Sequence, residues 1–550
     1  MNSDPAPPAG GSSGGAWTAA IAVIVISLLS TFTLTANTAT GTGGAAANGA
    51  RKTTTLKGVK SSGTTGASAS GGSGSGSTGS GGGGGAAGSD PGTAGGDVVV
   101  DENGNPVVDA NGNPVVASAD PSVSGSAPGG GAAAAAGTTP GAISADCAAH
   151  KNAGATDQGV TATSIEFAAT VVKTGIAKDF LSDAQSGMEA VRRKVNAAGG
   201  ICGRQVNIKY DDDGWDPAAG NDLINKYIGC KCYFGLAVNP SSEGLRYPIE
   251  NGLIDNNQFP VVGADGMLID QYQHPWVWPV ATSTHSVMHI MAHDAAARGA
   301  KTFAIVYDNK YRFGVEGHDA FVGAVKRMGL QVASDQPVQG GSQSYLNEVK
   351  SFVDKCSTSA GQFKKCDFVA MLLEPATAET WVKNGGLGDQ KQNDRPAIGI
   401  GAPQPLFVTS FAVNCGGACS NLRVWTSFKP PISPFDTDPK VSEYRNDLAA
   451  VSSTADPSNP HVEGAYVGMK LLVQALQQLG AAPTRADLQT VLDSTTLDTG
   501  LSRPLQYSAG NHFAATAAQA FEAVYNVNSF TQWRYANTDF VADNEVNQDF

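Results

Sequence analysis

KVNAAGGICGRQVNIKYDDDGWDP, residues 194–217, is the stretch on which the fold turns. Its first residues close a helix: FLSDAQSGMEAVRRKVNAAGG (180–200) has apolar residues at helical spacing and stops at a glycine pair. RQVNIKYDDD (204–213) then alternates apolar and polar residues as a strand and ends in three acids. A second helical run, PAAGNDLINKYIG (217–229), follows directly. A strand held between two helices at this pitch is the unit of a parallel α/β sheet.

The same alternation extends both ways. SIEFAATVV (164–172) is a buried strand run upstream; YFGLAV (233–238), the helix EGLRYPIENG (243–252) and the strand FPVVGA (259–264) follow downstream. After Trp278-Pro279 the pattern restarts. It runs through helix 285–300, strand KTFAIVYDN (301–309), helix 314–329, strand 330–338, helix 345–356, and strands CDFVAMLLE (366–374) and PAIGIGA (396–402). Two late helices (462–480 and 485–494) and a closing strand pair (522–536) complete the chain. Right-handed crossovers then give two parallel-sheet α/β lobes whose later segments return to both: a bilobal clamshell. Lobe one is expected over about 157–280 and 406–500, lobe two over about 281–405 and 501–540, with 541–550 a solvated tail.

The first 156 residues have another texture. They hold 34 of the 68 glycines, and of 40 aromatic residues only Trp17 and Phe32. A segment so poor in large apolar groups cannot offset an ordering entropy of roughly 1–2 kcal/mol per residue. After a short tail (1–15), residues 16–36, AWTAAIAVIVISLLSTFTLTA, form a run of 21 residues without a charge. At about 1.5 Å per residue this spans a hydrocarbon core of about 30 Å. The reading is a retained transmembrane helix, with a cleaved signal peptide as the alternative; no Lys or Arg precedes the run. Residues 37–156 read as a Gly/Ser/Ala-rich disordered linker, within which DENGNPVV (101–108) repeats as the turn-rich DANGNPVV (109–116). Arg51, Lys52, Lys57 and Lys60 follow the span, and the positive-inside rule taken alone puts them in the cytoplasm. The cysteines argue for the outside. All eight lie between Cys147 and Cys419; Cys356/Cys366 and Cys415/Cys419 each enclose a short loop, and the other four supply two more pairs whose partners are open.

Net charge is −13, and the chain beyond residue 156 contributes −10 of it without a basic stripe, which excludes a nucleic-acid partner. No nucleophile elbow, HExxH or phosphate loop is present, so neither an enzyme nor a cofactor is expected.

The 194–217 run resembles the second-strand signature of the type I periplasmic binding proteins, the leucine/isoleucine/valine-binding group. GVTATSIEFAATVVKTG (159–175) is similar to that family's opening strand, and FPVVGA to its fourth. AARGAKTFAIVYDNKYRFG (296–314) is similar to the first strand of its second lobe, and FEAVYNVNSFTQW (521–533) to its C-terminal hairpin. The resemblance covers about residues 157–540. It implies a clamshell that closes on a small solute (an amino acid, amide or related organic acid) and serves an ABC-type transporter permease. A ligand-sensing or scaffold ectodomain is the alternative.

Ligands of open α/β sheets sit at the carboxyl ends of strands. Those loops offer Thr174, Asn239, Ser241, Ser242 and Asp265 in lobe one, and Tyr311, Phe313, Glu374 and Gln404 in lobe two. The resemblance implies that Ser241 and Ser242 hold a ligand carboxylate, with plain N-capping as their other role. It departs from the family at Ala264–Met267, where amino-acid binders carry Pro-Ala-Ala-Thr, and at Gly401–Ala402, where they carry a glutamate. Asp265 and Glu374 are the carboxylates left to replace it. His285, His289 and His293 recur at i, i+4 and i+8 on one helix face, a spacing that suits zinc or copper, although a lobe-packing helix is the commoner outcome.

Overall fold

The computed structural model describes residue 147 and residues 152–358, 363–388, 395–536 and 538–546. The expected span 16–36 and nearly all of the linker lie outside them. Among the described residues no helix is long and apolar enough to cross a membrane.

Lobe one is built on five parallel strands: β1 (Ser164–Val171), β2 (Gln205–Asp212), β3 (Gly235–Leu236), β4 (Val261–Ala264) and β5 (Val277–Pro279), in the order β2-β1-β3-β4-β5. The 204–213 run docks along the full length of β1, from Ser164 opposite Gln205 to Val171 opposite Asp212. Helices α1 (Ala184–Ala197), α2 (Pro217–Cys230) and α3 (Ser242–Glu250) are its crossovers. Asp216 starts α2 by accepting the Ala218 and Ala219 N–H groups at 2.9 Å, with Pro217 at the first helical position, where a missing N–H does no harm.

Lobe two begins with α4 (Thr284–Ala297) and runs through β6 (Thr302–Asp308), α5 (Arg312–Arg327), β7 (Gln331–Val338), α6 (Leu346–Cys356), β8 (Phe368–Leu372), α7 (Pro375–Lys383) and β9 (Gly399–Pro403). The chain does not return to lobe one at residue 406. After α8 (Thr409–Cys415), Leu422–Thr426 forms β10, parallel to β9 and inside the second sheet. This run, LRVWT, is only five residues long, too short to stand out by periodicity, yet four of its residues are buried. The return comes after it, through α9 (Pro439–Ala449), α10 (Pro460–Leu479), α11 (Arg485–Leu492) and the small pair β11 (Thr496–Leu497) and β12 (Leu505–Gln506). Leu501, Leu505, Tyr507 and Ala515 still pack in the lobe-one core, so the last crossing lies near residue 516 rather than 501.

Beyond it, β13 (Ala517–Asn526) pairs antiparallel with β10 and β14 (Ser529–Tyr535) antiparallel with β13, extending the second sheet. Residues 541–546 are no tail. Val541–Ala542 forms β15 against β13, and Asp543 and Glu545 then reach α4. The folded domain also starts earlier than residue 157: Arg204 donates to the Gly154 carbonyl, Thr156 to that of Pro483, and Cys147 is bonded to Cys202. The other disulfides are Cys230–Cys232, Cys356–Cys366 and Cys415–Cys419, which leaves no free thiol.

Three segments cross between the lobes, near residues 281, 427 and 516, and they are tied side by side. The Thr282 N–H donates to Ser427 Oγ at 2.6 Å and its hydroxyl to the Ala517 carbonyl at 2.7 Å; Gln519 Nε2 donates to the Phe428 carbonyl at 2.6 Å. A few element-terminal residues bonded in this way are what a hinge requires.

Candidate functional site

The carboxyl ends of both sheets face each other, and the lobes are in contact. Trp215, which follows the acidic end of β2, is buried and carries a left-handed backbone (φ 62°). Its ring meets Tyr311 at 4.5 Å and Phe313 at 5.5 Å between centroids, both from the start of α5, while Phe180 packs on it edge-on at 5.7 Å. Val172, Phe180, Leu181, Trp215, Met267 and Leu268 of lobe one thereby merge into the apolar core of lobe two. Polar contacts flank this wedge. The Arg312 N–H donates to Glu243 Oε1 at 2.6 Å, and the Ile269 N–H to Glu316 Oε2 at 3.0 Å.

Next to the wedge is a cavity of about 10 Å³, room for about one water molecule. Its wall includes Asn239, Asp265, Gln404, Phe428 and His461, so both lobes and one crossing segment contribute. Backbone geometry brings α10 close enough to build the wall. Gly263, at φ +85°, lies so near Gly468 that a Cβ there would meet the Gly468 Cα at 2.6 Å.

Of the nine residues singled out from the sequence, the fold gathers Asn239, Asp265 and Gln404 at this cavity. Asn239 is used structurally: Nδ2 donates to Thr170 Oγ1 at 2.8 Å, and Oδ1 accepts the Ser241 N–H at 3.0 Å. Ser241 and Ser242 lie one layer behind. Ser241 stands at the N-cap of α3 without capping it; its hydroxyl donates to Asp213 Oδ1 at 2.8 Å. The Ser242 hydroxyl faces the Trp215 indole N–H at 3.4 Å and the Met267 sulfur at 3.6 Å. Tyr311 and Phe313 form the wedge. Thr174 is at the exposed rim, donating to Asp212 Oδ2 at 2.7 Å. Glu374 is absent from the cavity wall; it caps α7, accepting the Thr377 N–H at 2.7 Å and the Thr377 hydroxyl.

Sequence reasoning passed over Trp215, Asp213, Glu243, His461 and Phe428. The first two sit inside the quoted DDDGWDP run, where their signal was a motif rather than a role. His461 and Phe428 come from segments about 200 residues away; the return of α10 to lobe one brings the first, and the crossing that follows β10 brings the second.

The cleft holds several buried carboxyls. Burial pushes Asp213 up to about 6 and Glu243, Asp265, Glu316 and Glu374 each up to about 7, against the hydrogen bonds that favour their charged forms. Burial alone pushes His461 down to about 3, so its imidazole is neutral.

The histidine row divides. His285, His289 and Asp543 place one ligand atom each within 4.8 Å of one another. His289 Nδ1 already meets Asp543 Oδ2 at 3.2 Å, and the Arg327 guanidinium lies 3.0 Å from its Nε2, so a bound cation would face a neighbouring positive charge. His293 turns away to Glu545 at 2.9 Å.

Two α/β lobes, three tied crossings and a small cavity walled from both sides define a clamshell binding protein. The model of the periplasmic binding protein family matches residues 164–526, and the chain belongs to that family. Its members are binding proteins rather than enzymes. Among curated proteins, a Leu/Ile/Val-binding protein homolog 2 from Brucella abortus is 31% identical over 86 residues, which is 15% of this chain. The match spans 23% of that relative's length. Among solved structures, a possible leucine/isoleucine/valine-binding protein from Rhodopirellula baltica superposes with a TM-score of 0.57 at 15% identity, over 69% of this chain and 98% of that one. A fatty acid ABC transporter substrate-binding protein from Thermomonospora curvata gives 0.56 at 13% identity, over 72% and 96%. At such identities the likeness carries the fold alone.

Proposed function

We propose that this protein is a membrane-tethered solute receptor whose domain lies outside the cytoplasm and closes on a small organic solute for an ABC-type transporter. The observation that carries the reading is the cavity walled by Asp265 of lobe one, Gln404 of lobe two and Phe428 of a crossing segment. A solute bound there contacts both lobes, so its binding energy favours closure about the tied crossings. The uncharged run 16–36 and the glycine-rich linker support the tether, and four disulfides support an oxidising compartment. The related folds point to leucine-type ligands in one case and fatty acids in another, so the fold leaves the ligand class open.

The test is a thermal-shift screen of the purified chain against amino acids, amides and small organic acids. A true ligand at 100 times its Kd stabilises the native state by about 2.7 kcal/mol. A panel that leaves Tm unmoved throughout overturns solute binding. Proteolysis of intact cells tests the topology: digestion of the folded domain is expected, and its protection overturns the outside placement.

A second reading, a sensing or scaffold ectodomain without transport, is favoured by one feature. The Trp215–Tyr311–Phe313 wedge fills the cleft with the protein's own side chains. Trp215→Ala separates the two: it is expected to open room for solute in a receptor, whereas in a scaffold it costs stability and adds no binding.

A further inference from the structure

Three unpaired polar atoms share the cavity wall. Asp265 Oδ2, Gln404 Oε1 and His461 Nε2 are each shielded from solvent and have no hydrogen-bond partner among the described residues. Their residues are 9%, 4% and 4% exposed and line the same cavity. They arrive on three separate elements: the loop after β4, the turn after β9, and the first turn of α10. A buried polar atom left unpaired costs about 1–3 kcal/mol. Asp265 Oδ1 already accepts from the Met267 N–H and Gln271 Nε2, but these three atoms around one space leave room for further donors, His461 Nε2 accepting when the imidazole proton is on Nδ1.

The sign of the missing group follows from the wall. No Lys or Arg lines the cavity, and the remaining lining residues are Val238, Pro240, Gly263, Ala281, Phe428, Pro460, Gly464 and Ala465, together with Asn239. Asn239 has its side chain committed to Thr170 and the Ser241 N–H. An anionic head would meet the Asp265 carboxyl in a buried space whose wall carries no Lys or Arg. An alkylammonium head brings three N–H donors to three acceptors, and its volume is close to that of the one water the closed cavity admits.

Resting on the solute-binding reading above, we propose that the cavity is the head-group site of a cationic primary amine. Its ammonium donates to Asp265, Gln404 and His461, and its carbon chain lies against Pro240, Phe428 and Pro460 as the wedge gives way. Because the acceptors come from both lobes, the ammonium group is also what holds the clamshell shut.

Three four-carbon probes on the full chain, n-butylamine, butyramide and butyrate, test this by thermal shift and calorimetry. n-Butylamine is expected to raise Tm most, butyramide less, and butyrate not at all. Asp265→Asn is expected to weaken n-butylamine about tenfold or more while leaving butyramide nearly unchanged, as loss of a charged hydrogen bond predicts. If that variant does not fold, Gln404→Glu supplies the opposite arm, adding a carboxylate of the same size and tightening n-butylamine. Preference for butyrate, silence of all three probes, or indifference of n-butylamine to the variant that folds overturns the proposal. Solute binding itself then stands or falls separately on the metabolite screen.

Discussion

The interlobe cleft and the outer flank of lobe one use the same carboxylates to opposite ends. On the flank, Lys194 Nζ bridges Glu443 at 3.0 Å and Asp447 at 2.8 Å, and Lys470 adds a third contact to Glu443 at 3.2 Å. Partial burial raises the Glu443 carboxyl, but the two lysines outweigh it and hold the group down at about 2. In the cleft, Asp213, Asp265 and Glu374 have no lysine or arginine side chain on their oxygens, and Glu243 has only the Arg246 guanidinium at 3.4 Å; in all four, burial outweighs what lowers the carboxyl. Charge on the flank stabilises the fold; charge in the cleft opposes it.

The largest expected effect is the pH response of the whole domain. A carboxyl raised in the folded state favours folding fully below its unfolded value near 4, and that contribution is lost as pH rises to about 7. Glu443 behaves conversely: its contribution is present above about 4 and is lost as pH falls toward 2. His461, held neutral, opposes the cleft acids by favouring folding as pH rises from about 3 to its unfolded value near 6.5, but it is one group against five. Stability should therefore peak near pH 4 and fall by several kcal/mol toward pH 8, on the order set by several raised carboxyls. Denaturant titrations across this range check it; a maximum at pH 7 or above breaks the contrast. Glu316→Gln should flatten the slope between pH 5 and 8.

Packing gives the next effect. The β4–α10 contact leaves no space for a side chain at Gly263, which combines φ +85° with 2.6 Å to the Gly468 backbone. Gly263→Ala should cost about 2–4 kcal/mol, the sum of left-handed strain and overpacking. A Tm within a degree of the parent protein would show that the cleft wall yields.

How far all this is legible in sequence depends on the range of the contacts. The β1–β2 pairing and the helices around it follow from local periodicity, and the acids of DDDGWDP fall at the strand end as a parallel sheet demands. Short elements escape that reading: β10 is five residues and β15 two, too few for a period to show. The cavity is legible only in part. Asn239, Asp265 and Gln404 stand at strand ends and were found by position. His461 belongs to a helix whose own sequence reports only that it is buried. Glu374 shows the converse, since a carboxylate before Pro375 reads equally as ligand contact and as helix cap, and its bonds to Thr377 make it a cap.

Smaller effects sharpen the comparison on the flank. Glu443→Gln removes the negative charge shared by Lys194 and Lys470 and should cost about 1 kcal/mol at pH 7, because two half-screened contacts act together. The loss should shrink as pH falls toward 2, where the parent Glu443 takes up its proton; a loss that persists undiminished there would mean the residue acts by packing.

Lys350 and Asp354 supply the lower bound. They form an ion pair at 2.6 Å one turn apart on α6, with side chains 75% and 64% exposed. Short distance alone does not make such a pair stabilising, because water screens both charges and two long side chains must be ordered to meet. Lys350→Ala should change stability by less than about 0.5 kcal/mol. A loss as large as that of Glu443→Gln would mean that distance rather than burial sets the worth of these charges. The contrast between flank and cleft would then have to rest on geometry instead of desolvation.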